Sequence, residues 1–263
     1  MDLKLKDKIA LVTASSMGIG KATAEILMNE GCKVVICSSQ KNNIIKAVKE
    51  IKESCGVEPL WGVCDLNNPN DISEIVKMTQ SKLGSIDILV NNCGGPVPGT
   101  FDDLNDTDWL NAVDQVLLSV VRMTREVLTG MKEKKWGRII NITSKSVKQP
   151  IDNLMLSNSL RSAVTAFSKT LSNDVGKHNI TVNNVAPGFT LTSRLEELAL
   201  LKEKSNGVPY KEVLAEMANS VPMKRIGTAD EIASMVVYLA SEQAGFITGT
   251  TIQVDGGSIK STY

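Results

Sequence analysis

The chain has 263 residues, of which 42% are hydrophobic and 22% charged, proportions that exclude disordered, collagen-like and disulfide-scaffold classes. Its 29 Lys and Arg balance 29 Asp and Glu, so no basic excess exists to track a nucleic-acid backbone. No apolar run approaches the ~20 residues of a membrane span, and the charged start, Met1 to Lys8, lacks the long apolar stretch of a signal peptide. Five scattered cysteines without a CxxC pair read as reduced thiols of a cytoplasmic protein. A single histidine, His178, leaves no stock for a His-based metal site or a Ser-His-Asp triad, so no metal is expected.

Short apolar runs alternate with helical patterns along the whole chain. Strands are predicted at Ile9–Thr13, Lys33–Cys37, Pro59–Cys64, Ile86–Val90, Gly137–Thr143, Ile180–Val185 and Thr251–Val254. Between them, apolar residues recur in steps of three and four. Examples are Trp109, Val113, Val116, Leu117 and Val120, and then Leu160, Val164, Phe167, Leu171 and Val175. The alternation predicts βαβ units and a parallel sheet covered on both faces, an α/β fold. No linker or repeat divides the chain, which reads as one domain over 1–263. The interval 192–228 breaks the rhythm with two short helical patterns around Asn206-Gly207-Val208-Pro209. It follows a strand end and is a candidate substrate lid.

The first strand runs into Ala14-Ser15-Ser16-Met17-Gly18-Ile19-Gly20 and then a helix from Lys21. Small residues at such a turn let backbone approach an anion, whose charge then faces the free N–H groups of the helix start. Gly18 permits the approach and Gly20 lets helix and strand pack closely. The second strand ends in Ser38-Ser39-Gln40-Lys41. An acid there would favour NAD and an arginine NADP. Neither is present; for a nicotinamide dinucleotide, which the chain's family resemblance implies, Ser38 and Ser39 can donate to a 2′-phosphate and nothing in the segment repels it, so NADP(H) is favoured over NAD(H). After the fifth strand, Ser144-Lys145-Ser146-Val147-Lys148 leaves the strand's C-terminal end, where open α/β sheets bind ligands.

These landmarks, in this order, resemble the short-chain dehydrogenase/reductase family from Lys8 to Gly257, with the 3-oxoacyl-[acyl-carrier-protein] reductases the nearest branch. Thr13-Ala-Ser-Ser-Met-Gly-Ile-Gly20 resembles TGxxxGIG, with Ala14 for the first glycine. Cys64-Asp65-Leu66 resembles the adenine-holding segment, and Asn91-Asn92-Cys93-Gly94 resembles NNAG. Ile142-Thr143-Ser144 resembles the strand end bearing the active-site serine. Pro187-Gly188 with Thr192 resembles the nicotinamide-side PG…T motif, and Ile247-Thr-Gly249 and Val254-Asp-Gly-Gly257 the C-terminal signature. The resemblance implies a Rossmann-like doubly wound seven-stranded sheet of order 3-2-1-4-5-6-7. It also implies a homotetramer or dimer built partly on the helices around 109–128 and 157–175. The cofactor-binding residues it implies are Thr13, Ser15, Ser16, Gly18, Ile19, Gly20, Ser38, Ser39, Asp65, Leu66, Asn91, Cys93, Gly94, Arg161, Pro187, Gly188 and Thr192.

The family's Asn-Ser-Tyr-Lys site is kept only at Ser144. Counting along the motif, the tyrosine position is Ser157, the lysine position Arg161 and the asparagine position Val116. Residues 157 and 161 still lie one helical turn apart on one face. A serine hydroxyl is a far poorer acid than a phenol, and an arginine does not release its proton. None of Tyr210, Tyr238 and Tyr263 is near position 157 in sequence, though Tyr210 falls in the candidate lid. Lys148 first, and Lys145 second, are therefore the candidate general acids beside Ser144, Arg161 and Ser157. Two functions stay open. One is an NAD(P)(H)-dependent oxidoreductase that interconverts a small-molecule carbonyl and alcohol with a non-standard proton donor. The other is a catalytically silent dinucleotide-binding protein acting as a sensor or as partner of an active relative.

Overall fold

A computed structural model describes residues 1–262; Tyr263 lies outside the described residues. Seven parallel strands form one sheet in the order β3-β2-β1-β4-β5-β6-β7. They are β1 (Ile9–Val12), β2 (Lys33–Ser38), β3 (Leu60–Val63), β4 (Ile88–Asn91), β5 (Gly137–Ile142), β6 (Ile180–Pro187) and β7 (Thr251–Val254). All seven expected strands are present; β6 runs two residues further than its pattern implied. The doubly wound order and the α/β class stand as the sequence suggested.

Period-two alternation divides the strand residues between two cores. Ala10, Val12, Val34, Ile36, Ile88, Val90, Ile140 and Val185 face one side. There they meet α1 (Gly18–Asn29), α2 (Lys41–Cys55) and α9 (Ala229–Ala240) through residues such as Leu27, Ile51 and Val236. Ile9, Leu11, Val35, Leu89, Ile139 and Val182 face the other side. They meet α3 (Pro69–Lys82) and α5 (Ser119–Lys134) through Ile75, Met123, Val127 and Met131. The near-continuous apolar strands are what burial on both faces requires.

The long helical pattern after residue 105 is not one regular helix. Asn105 opens α4 (Asp106–Ala112) with a reciprocal capping box to Asp108. Residues Val113–Leu118 then form a π turn before α5 begins. A third, smaller core joins this region to α6 (Met155–Val175): Ala112, Val116 and Val120 pack on Leu156, Leu160 and Val164. Past β6 come α7 (Ser193–Asn206) and α8 (Tyr210–Ser220), the two helices of the candidate lid. Among the described residues, no helix is long and apolar enough to cross a membrane. All five cysteines are free thiols. Burial pushes the Cys32 thiol up to about 12, and the neighbouring Cys37 thiol, with burial, raises that of Cys64.

Candidate active site

The strand order reverses between β1 and β4, and the carboxyl ends of the strands on either side of such a point frame a crevice. A cavity lies there, lined by Thr13, Leu66, Asn91, Cys93, Val116 and Arg161 among others. Five predicted site residues, distant in sequence, thus share one wall. Ser144 and Ser157 stand outside that lining.

The loop after β1 is held from several directions. The Thr13 hydroxyl donates to the Asn92 carbonyl at 2.6 Å and accepts the Asn92 N–H at 2.8 Å. The Asn92 carboxamide donates to the Ala14 carbonyl at 3.0 Å. Asn92 was not singled out from sequence, although its motif was. Ala14 itself has φ +44°, a left-handed conformation disfavoured by its Cβ. Its family counterpart is glycine, so this loop carries strain. Gly18 has φ +56°. A Cβ on Gly20 would sit 2.7 Å from the Ala14 carbonyl and 2.9 Å from the Ser15 Cα, so only glycine fits there.

Ser15 does not face a ligand with its hydroxyl. It is fully buried, donates to the Val12 carbonyl at 2.7 Å and accepts the Cys37 N–H at 3.0 Å, tying the loop to β2. The Ser16 hydroxyl instead reaches the Ser38 hydroxyl at 3.1 Å, while Ser39 is exposed beside it. Ile19 packs partly on the core at the start of α1. Asp65 is exposed, and its carboxylate accepts the Asn67 N–H at 3.0 Å.

Asn91 begins a buried row of amides that crosses the sheet at one level. Its carboxamide donates to Asn141 at 2.8 Å, and Asn141 donates to Asn184 at 3.2 Å and to the Ser168 hydroxyl at 2.9 Å. Asn184 donates to the Thr251 hydroxyl at 3.1 Å. Strand register places these residues directly opposite one another. Satisfied buried amides of this kind fix register, because a slip would strand each of them without a partner.

Arg161, on α6, turns its guanidinium back beneath the end of β5. It is buried, and its Nη1 donates to the carbonyls of Ile142 at 3.0 Å and Thr143 at 3.1 Å. Ser157 is buried one turn earlier on the same helix. Ser144 caps a 3₁₀ turn, Lys145–Val147, by accepting the Ser146 N–H at 3.1 Å. That turn separates the two loop lysines. The Lys145 ammonium donates to the Ser258 hydroxyl at 2.7 Å and lies 3.8 Å from the centre of the Phe189 ring. Burial pulls its pKa below the ordinary lysine range, with Asp255 opposing. Lys148, at the end of the turn, is half-buried.

The segment that follows β6 stands outside that lining too. A Cβ on Gly188 would fall 2.6 Å from the Asp255 Cα, so the Pro187-Gly188 turn must press closely on the segment after β7. Thr192 caps α7, accepting the Leu195 N–H at 3.5 Å. Its methyl carbon lies 3.3 Å from where a Gly18 Cβ would stand. Two further contacts, not anticipated from sequence, draw the start of α7 across the site. Arg194 Nη2 donates to the Pro96 carbonyl at 2.8 Å, and the Ser193 hydroxyl meets the Met17 sulfur at 3.1 Å. Gly94 faces Gln115 of the π turn. Tyr210 begins α8 with its N–H on Glu203, and Tyr238 packs on a core.

The family model described as Enoyl-(Acyl carrier protein) reductase matches residues 13–258. The NADPH-dependent reductase BacG of Bacillus subtilis is 34% identical over 98% of this chain and 100% of its own. The 3-oxoacyl-[acyl-carrier-protein] reductase FabG of Salmonella typhimurium is 35% identical over 97% and 98%. L-Sorbose reductase from Gluconobacter frateurii, solved with NADPH and L-sorbose, superimposes with a TM-score of 0.94 at 34% identity, over 99% of this chain and 100% of that one. With a reversal-point cavity, a glycine turn that admits no side chain and matches over nearly its full length, the chain belongs to the short-chain dehydrogenase/reductase family.

Proposed function

We propose that the protein is an NADP(H)-dependent reductase that converts a small-molecule carbonyl to an alcohol, with a loop lysine in place of the family's tyrosine. The observation that carries this reading is the convergence of Thr13, Leu66, Asn91, Cys93 and Arg161 on one cavity at the reversal point of the sheet. The residues fit a phosphorylated dinucleotide. The glycine turn leaves room for backbone against a pyrophosphate. The end of β2 offers the hydroxyls of Ser38 and Ser39, with Ser16 of the loop after β1 beside them, and the segment Ser38–Lys41 holds no carboxylate to repel a 2′-phosphate. BacG is an NADPH-dependent reductase, and L-sorbose reductase is solved in complex with NADPH.

In this reading Asp65 and Leu66 hold the adenine side, and Pro187, Gly188 and Thr192 the nicotinamide side. Arg161 holds the ribose between them. When bound, the dihydronicotinamide supplies the hydride. Ser144 orients the carbonyl, and the fixed charge of Arg161 steadies negative charge growing on its oxygen. Lys148 gives that oxygen its proton and, half-exposed, is recharged from water. Lys145 is less suited, because its ammonium is already held by Ser258 and Phe189. The helices α7 and α8 form a lid, α5 and α6 the faces of a homotetramer or dimer, and the cytoplasm the compartment.

NADPH fluorescence titration, followed by NADPH oxidation across a carbonyl panel, tests the reading. Lys148→Met is expected to lower kcat by about 10²-fold or more with NADPH affinity unchanged. Tight NADPH binding without turnover on any carbonyl would instead support a silent sensor, for which the residues at Val116, Ser157 and Arg161 speak.

A further inference from the structure

A second cavity, of about 60 Å³, opens beside the Ser144 loop and is lined by Lys145, Gln149, Pro150, Ile151, Ser258 and Ile259. That is several times the ~10–15 Å³ one water needs. Its polar lining consists of groups able to donate. The Lys145 ammonium donates to the Ser258 oxygen, so the Ser258 hydroxyl proton is free to turn into the cavity. The Gln149 amide oxygen accepts the Lys260 N–H at 3.4 Å, leaving its NH₂ to donate elsewhere. Among the described residues, no carboxylate lines the cavity. The nearest acid, Asp255, is committed to the backbone, accepting the N–H groups of Gly257 at 3.0 Å and Ile259 at 2.8 Å.

Lys145 is therefore a partly desolvated cation that has an aromatic face and a neutral hydroxyl for company, but no salt bridge. The Asp255 carboxylate attracts it without an ion-pair contact, and a partly desolvated charge gains from a closer countercharge. From this cavity, its three donors and the engaged state of Asp255, we infer that Lys145, Gln149 and Ser258 bind a carboxylate, and that the substrate is an oxo acid. The assignment rests on the reductase reading, which puts the reacting carbonyl at Ser144, the residue before Lys145. The apolar Pro150, Ile151 and Ile259 flank the chain that joins carboxylate to carbonyl. Charge-assisted hydrogen bonds of this kind are about twice as strong as neutral ones, so esterifying the acid removes most of the recognition.

The test is calorimetric titration of 2-oxopentanoate, 4-oxopentanoate and 5-oxohexanoate, each against its methyl ester, with and without saturating NADP⁺, where no turnover occurs. At least one acid is expected to bind about tenfold or more tightly than its ester. In Lys145→Met that ratio is expected to fall to near one, and in Lys145→Arg to persist. A parent ratio near one for every pair overturns the carboxylate site, and does so even if the Lys145 variants fail to fold. A Lys145→Met variant that retains the ratio overturns it too. With NADPH present, a fall in kcat that is equal for acid and ester would make Lys145 part of the chemistry and likewise overturn it. Absence of NADP⁺ binding sinks the reductase reading instead and leaves the acid-to-ester ratio to be read on the protein alone.

Discussion

Strand β5 has a buried arginine near each end, and the two are partnered differently. Arg138, at the amino end, is fully buried on the strand itself. Its guanidinium donates to the carbonyls of Ser241, Gly137 and Asn179 at 2.9–3.2 Å, approaches Glu242 at 3.6 Å and lies 4.4 Å from the Trp136 ring centre. Trp136 in turn donates to Glu242 at 2.7 Å. Arg161, beneath the carboxyl end, has the carbonyls of Ile142 and Thr143, and its side chain lines a cavity. The first cation has its countercharge and an aromatic lid. The second has neither. Arg138, although its Nη2 has no hydrogen-bond partner, is enclosed by the protein alone and is a structural fixture, whereas a cation that lines a cavity is poised for something that arrives from outside.

Exchanging the arginines separates these roles. Arg138→Met removes the charged donor of three carbonyls and the attraction to Glu242, which keeps its bond from Trp136, and is expected to cost about 3–5 kcal/mol. At roughly 2–4 °C per kcal/mol, the thermal midpoint falls by about 10 °C, while NADPH affinity of the folded protein holds. Arg161→Met has the opposite signature. Only two neutral carbonyls lose a partner, so stability falls by about 1–2 kcal/mol, but the NADPH Kd rises about tenfold or more. Calorimetric melting and fluorescence titration on both variants make the comparison. Equal loss of NADPH affinity in both would break it.

Ala14→Gly sharpens the same contrast from the loop side. Relieving a left-handed alanine is expected to raise stability by about 0.5–1 kcal/mol, an increase of about 1–4 °C in the midpoint. A lowered midpoint would mean that the alanine is not strained. The smallest effect belongs to the start of α9, where Glu231 closes the capping box and pairs with Arg225 at 2.5 Å. The Arg225 hydrogen bond, then the Thr228 N–H, hold its carboxyl at about 2 against an ordinary value of 4.5. A pKa depressed on folding gives stability that is complete above the ordinary value and lost as pH falls toward the folded one. Glu231→Gln is therefore expected to flatten the acid-unfolding curve between about pH 4.5 and 2, and to leave the neutral-pH activity alone.

The sheet was legible because each strand is a short apolar run set between helical periods, and burial on both faces leaves such a run little else to become. Arg138, Asn141 and Asn184 were not legible as core residues. A polar side chain inside an apolar run says nothing of its partner, which lies on another strand or beyond it. The tight turn after β1 was readable at Gly18 and Gly20 because their spacing is itself the geometry. Asn92, holding the same loop through Ala14, looked like any other polar residue. Lys148 stood ahead of Lys145 in the sequence reading, but the partners of neither were legible. A single 3₁₀ turn sends one to Ser258 and Phe189 and leaves the other at its end.

The π turn also escaped the periodicity, since steps of three and four suit a regular helix equally well. An α-helix advances about 100° per residue, so the one residue added by a wider turn swings all later side chains around the axis by about that angle. The rod from Asp106 to Lys134 thereby serves two neighbours that lie in different directions. Ala112 and Val116 look toward α6, while Met123, Val127 and Met131 look toward the strands. Deleting a single residue there would leave the rod intact but misaligned, and one of those two contacts would have to come apart.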